Sequence, residues 1–187
     1  MNASAPRAAA LGTGMLRRLV QNIPGGAMTR NSSQGALRTV LLAGCAGASI
    51  DLIFAFLFFG WTLGITPMRV MQSVASGLYG RASFDGGLAT AAVGFVAHYF
   101  ILIVAAWWYW LASQRLPQLN RNWVISGAAF GVAIYVVMTF IVVPLSAAPR
   151  GHPALINVVG QFLIHPVIGL SIANIVSRAD RERRLAS

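Results

Sequence analysis

Lysine is absent from this sequence, and acids are nearly so: all 14 basic residues are arginine, and only Asp51, Asp85, Asp180 and Glu182 are acidic. Charged residues make up 10% of the chain against 57% hydrophobic, whereas a soluble domain carries about 25% charged residues. An ordinary water-facing surface is therefore excluded. A single cysteine, Cys45, rules out an internal disulfide and reads as a small packing residue in a Gly/Ala-rich helix. The chain also lacks a Gly-rich phosphate loop, a GxSxG elbow, an HExxH or CxxC ligand pair and a carboxylate pair on a soluble face, so it is not expected to be an enzyme.

Apolar runs are what the sequence has in abundance. About 20 mostly apolar residues cross the hydrocarbon core as a helix, and four stretches qualify: about 39–62, 87–111, 123–146 and 155–176. Four spans in a chain of 187 residues leave no room for a soluble catalytic domain. The first span carries Asp51. A central Asp costs about 2.5 to 3.5 kcal/mol, and each apolar side chain returns about 0.3 to 0.6 kcal/mol. The span has eleven Val, Leu, Ile and Phe residues, so insertion is favoured.

The formal charge of +10 would suggest nucleic acid in a soluble protein. Here the arginines flank apolar runs, where they set membrane orientation. Arg7, Arg17, Arg18, Arg30, Arg38, Arg115, Arg121, Arg178, Arg181, Arg183 and Arg184 fall on one side, against Arg69, Arg81 and Arg150 on the other. Both termini are accordingly expected in the cytoplasm, with the lipid bilayer and not nucleic acid as partner. Trp61, Trp107, Trp108, Trp110 and Trp123 stand at span ends, where aromatic belts form. The sequence leaves the number of associated chains open.

Residues 1–38 read as a disordered cytoplasmic tail and 178–187 as a short cytoplasmic tail. Within the first, "MLRRLVQNI" puts Leu16, Leu19, Val20 and Ile23 on one helical face, the pattern of a basic helix on an anionic leaflet, stopped by "PGG" at 24–26. Between the first two spans, Thr66 and Pro67 signal a helix start. Met68, Met71, Val74, Ala75 and Leu78 then recur at helical spacing, with Arg69, Gln72, Ser73 and Ser76 opposite. This predicts a short amphipathic helix floating in the outer interface. The fold expected is all-α, a transmembrane four-helix bundle with that outer helix.

Ionisable groups inside spans are rare, costly and functional by default. Asp51, His98 and His165 each lie about ten to twelve residues into their spans, and at roughly 1.5 Å per residue all three fall near the bilayer centre. Asn157, Gln161 and His165 are spaced i, i+4, i+8 and form one polar stripe. Pro166 removes a helical hydrogen bond next to His165. Gly44 and Ala48 give the first span a small-residue face, and Gly127 and Gly131 give the third a GxxxG face, with Tyr135 near mid-depth. A faint tandem repeat aligns Asp51 with Tyr135, Gly47 with Gly131 and Phe56 with Phe140, and sets His98 opposite His165. His152, between the last two spans, reads as a solvated loop residue.

The expected site is thus Asp51, His98, His165, Gln161, Asn157 and Tyr135. A carboxylate and an imidazole in low dielectric can hold and pass a proton, which suits a small proton-linked transport or permeation protein. The alternative is a structural or accessory protein whose polar trio only fixes packing, at about 0.6 to 2 kcal/mol per interhelical bond. No cofactor is expected. Lesser alternatives are zinc on two histidines and a carboxylate, and a b-type haem between His98 and His165.

The pieces "QSVASGLYGRA", "AHYF" and "PLSAAP", within about 39–177, resemble a family of uncharacterised four-span bacterial inner-membrane proteins, distantly similar in layout to the YagU-like group. The resemblance implies four helices in a bacterial cytoplasmic membrane and carries over no functional residue.

Overall fold

Helix occupies nearly all of the chain that can be described, and among the described residues there is no strand. The structure is a computed structural model; it describes residues 25–151 and 154–185, with side chains from 34 onward. The segment 15–23 and His152 lie outside the described residues. The chain divides into Met1–Leu37 and Arg38–Ser187, and the packing below is that of the second unit.

Helix α1 (Gly25–Leu63) ends where Gly64 adopts φ 66° and donates its N–H to the Gly60 carbonyl at 3.1 Å. A left-handed glycine closes a helix without a Cβ penalty. Helix α2 (Pro67–Tyr79) starts as its sequence dictates: Thr66 Oγ1 accepts the Arg69 N–H at 3.3 Å, and Pro67 fills the first turn. Gly80, at φ 61°, turns the chain into a 3-10 segment, Gly80–Phe84. Helix α3 (Gly87–Arg115) follows, its start tied back by Thr90 Oγ1 donating to Ser83 O at 2.6 Å. After the single turn α4 (Gln118–Arg121) come α5 (Trp123–Val137) and α6 (Leu155–Leu185).

Helix α5 continues through a π-helical turn, Met138–Val142, and a last turn, Val143–Leu145. Pro144 explains the π turn. It has no N–H for the carbonyl four residues back, and the ladder slips by one, with Val143 N–H donating to Met138 O. Helix α6 keeps its course through Pro166, which likewise leaves the Phe162 carbonyl without its helical donor.

Four helical stretches, Gln34–Leu63, Gly87–Arg115, Trp123–Leu145 and Leu155–Leu185, are long and apolar enough to cross a membrane. Their outward side chains agree: Leu57, Phe100, Ile125, Phe140 and Leu163 are all exposed, as lipid-facing residues are in a membrane bundle. The core between them is built from small and branched residues, with Ala43, Ala48, Ala106, Ile168, Ile172, Ala173 and Val176 at its centre. Glycines set the closest approaches. A Cβ on Gly131 would run into the His165 carbonyl and Pro166, and one on Gly169 into Gly127 and Gly131, so α5 and α6 cross backbone to backbone. Gly44 meets the backbone of Ile103, joining α1 to α3, and Gly47 receives Ile168 and Ile172 of α6. At the end where the chain terminates, Arg183 Nη2 donates to Thr39 Oγ1 at 3.3 Å, tying α6 to the start of the first span.

Two expectations are corrected. Residues 25–38 belong to helix α1 instead of a disordered tail, since no proline interrupts the chain from Ala27 to Leu63. The C-terminal segment 178–185 is a continuation of α6, held by i,i+4 pairs: Arg184 Nε with Asp180 Oδ2 at 2.9 Å and Arg178 Nε with Asn174 Oδ1 at 2.9 Å. Helix α2 is packed and does not float. Its buried face is Val70, Met71, Gln72, Ala75 and Ser76, while Met68 and Leu78 of the expected apolar face are exposed. The reason is Gly94 of α3, whose missing Cβ lets the Met71 carbonyl lie against the helix.

Candidate functional site at mid-span

Asp51 projects from α1 into a cavity of about 750 Å³ that is walled by α1, α2, α3, α5 and α6. His98, Tyr135, Gln161 and His165 line the same cavity. The two histidines are both buried, each at 8% exposure, on helices that are not neighbours in sequence.

His98 reaches across to α1. Its Nε2 donates to the Ala48 carbonyl at 3.1 Å and stands 3.8 Å from Asp51 Oδ2. A carbonyl only accepts, so the hydrogen is on Nε2. Ala48 and Asp51 are one turn apart, and a single imidazole therefore faces both. The carboxylate is within ion-pair range of the ring but beyond hydrogen-bonding distance, and Asp51 Oδ1, although buried, has no hydrogen-bond partner in the protein. Buried polar atoms are almost always satisfied, and an orphan of this kind marks strain or function.

His165 is held differently. Its Nδ1 donates to the Gln161 carbonyl of its own helix at 2.6 Å, which leaves Nε2 with its lone pair. Tyr135 meets the ring edge to face, centroids 5.2 Å apart, and packs on Phe162 the same way at 5.4 Å. Tyr135 is positioned by the glycine seam below it, because Gly131 brings α5 against the His165 carbonyl.

Asn157 is set apart from these residues. It is buried, lies with Oδ1 3.2 Å from Thr62 Oγ1, a hydroxyl whose one hydrogen is shared with the Phe58 carbonyl at 2.8 Å, and does not line the cavity. The polar stripe of α6 is thus divided: Gln161 and His165 face the cavity, and Asn157 clasps α6 to the end of α1. Among the described residues no three His, Cys, Asp or Glu side chains come close enough to hold a metal ion, and His98 directs its Nε2 at a carbonyl.

Several contributors were not foreseen. The π turn places Met138, Thr139 and Val142 on the wall, and π turns recur at functional sites; Pro144 was the available signal. Helix α2 supplies Val70, Met71, Ser73 and Val74, for which Gly94 was the cue. Tyr99, next to His98, shares a hydrogen bond with Ser49 at 2.9 Å and pins α3 to α1 beside the site.

Compared with known protein families, curated proteins and solved structures, the chain has no match.

Proposed function

We propose that this is a small proton-linked transport or permeation protein of the bacterial inner membrane, with both termini cytoplasmic and Asp51, His98 and His165 as its proton-handling groups. The observation that carries the reading is the mid-span cavity lined by Asp51, the sole acidic residue within 39–62, 87–111, 123–146 and 155–176, whose buried Oδ1 has no hydrogen-bond partner in the protein. The His98 imidazole, whose Nε2–H faces the Ala48 carbonyl and the carboxylate, can take up a proton at Nδ1, and the imidazolium so formed is paired with Asp51. The second imidazole, on α6, keeps a free Nε2 in the same cavity. A trio kept only for packing would spend all its polar atoms on hydrogen bonds, as His98 spends Nε2 on the Ala48 carbonyl of α1; Asp51 Oδ1 makes none. The arginine asymmetry supports the orientation, and the family resemblance supports the inner-membrane location.

The test is proton flux in proteoliposomes reporting through an internal pH dye. Asp51→Asn, which keeps the shape of the side chain and removes its charge, is expected to abolish flux while the protein stays folded and monodisperse. Wild-type flux in that variant would reject the reading and favour a packing role.

A further inference from the structure

We infer that the cavity is a binding site for lipophilic organic cations, molecules with an apolar body and a single positive centre that pairs with Asp51. This deepens the transport reading and rests on it for the role of the site.

The chemistry of the walls makes the selection. Asp51 is the only acidic side chain lining the cavity and no arginine lines it, so with Asp51 ionised and both imidazoles neutral the site carries one negative charge. The Asp51 side chain keeps 16% of its surface accessible, and His98 Nε2 stands 3.8 Å from Oδ2, beyond hydrogen-bonding distance. The arginine nearest in sequence to the α2 wall, Arg69, is engaged elsewhere: its Nη1 donates to Phe84 O at 3.0 Å and its guanidinium lies 4.5 Å over the Phe84 ring. No cationic side chain therefore competes for the carboxylate from α2. The rest of the wall is overwhelmingly apolar, with Phe59, Met71, Ile101, Met138 and Ile168 among its residues. Methionine adapts its shape to different apolar partners, and aromatic faces attract cations. A volume of about 750 Å³ is that of a pocket for a drug-sized molecule, far more than a proton or an inorganic ion needs.

The opening fits the same class. Phe100 of α3 and Val142 and Val143, at the end of the stretch that continues α5, line the cavity and are exposed on the outside of the bundle. Nearer α2, Ser73 and Ser146 line it. An apolar cation concentrated in the bilayer interface meets an apolar mouth first and the carboxylate last. An anion would meet like charge at the floor, and a strongly hydrated solute would be desolvated without replacement hydrogen bonds.

The experiment measures equilibrium dialysis of tetraphenylphosphonium against the full-length protein in nanodiscs, with tetraphenylborate as the anion of matching shape. Saturable tetraphenylphosphonium binding is expected, weakened at least about thirtyfold by Asp51→Asn, as for loss of one partner of a desolvated charge pair, and retained by Asp51→Glu. Tetraphenylborate is not expected to compete. Met138→Trp, which fills the cavity from the π turn that continues α5 and leaves Asp51 intact, should also remove binding. Undiminished binding in Asp51→Asn and Met138→Trp, or equal binding of the anion, would overturn the inference. Binding that depends on Asp51 in a protein whose proton flux does not would leave the ligand class standing and retire the transport reading. Proton flux that depends on Asp51 with no tetraphenylphosphonium binding would retire the ligand class alone.

Discussion

The two halves of the bundle are closed by different means. In the α5–α6 hairpin, Gly127, Gly131 and Gly169 let two backbones touch, and the histidine of that hairpin bonds within its own helix. In the α1–α3 hairpin, Gly44 makes the close contact, and α2 is wedged in toward the other end, where Leu52, Ala55 and Ala91 pack on Val70 and Met71. Its histidine bonds across to the partner helix. The halves nonetheless share a plan: Gly44 meets Ile103, five residues after His98, and Gly127 meets Leu170, five residues after His165. A tight hairpin supplies a fixed wall, and a wedged one supplies the cavity and its carboxylate.

Breaking the tight half should have the largest effect. Gly131→Leu forces apart two long helices that have no alternative seat, and is expected to cost about 3 kcal/mol or more, read as loss of the folded fraction in a denaturant titration in bicelles. Gly94→Leu strikes the wedge. A short helix between turns can shift, so the cost should be nearer about 2 kcal/mol, and hydrogen exchange should rise across 67–79 far more than across 123–145. A larger effect from Gly94→Leu than from Gly131→Leu would reverse the assignment of rigid and wedged halves.

The side-chain ties should matter less. Asn157→Leu removes the clasp to Thr62 and is expected to cost about 1 kcal/mol in the same titration, with proton flux unchanged, since Asn157 stands outside the cavity. Ser49→Ala removes the bond to Tyr99 and should cost about 0.6 kcal/mol, the average of interhelical bonds in membranes.

The four spans were legible because about 20 apolar residues in a row have few other uses. The common depth of Asp51, His98 and His165 followed from helical rise alone. Depth does not fix azimuth, which is why Asn157 was grouped with Gln161: the i, i+4 rule puts them on one stripe, but Thr62 on α1 takes the upper residue for a clasp. The burial of α2 was misjudged because hydrophobic spacing ranks faces by side chain, and the deciding feature was an absent one, the missing Cβ of Gly94. The π turn was written in Pro144, but a proline that close to a span end reads equally as a stop.

The central claim is that Asp51 faces a shared, water-reachable cavity and not lipid or a closed seam. It is tested most directly with Asp51→Cys in a Cys45→Ser background, comparing its rate of reaction with a small cationic methanethiosulfonate against that of Leu57→Cys, a residue 71% exposed on the outward face of the same helix. Thiols react as thiolates, which form only where water reaches. The account predicts that Asp51→Cys reacts several-fold faster in nanodiscs and is protected by tetraphenylphosphonium. Equal or slower reaction at position 51 would contradict it.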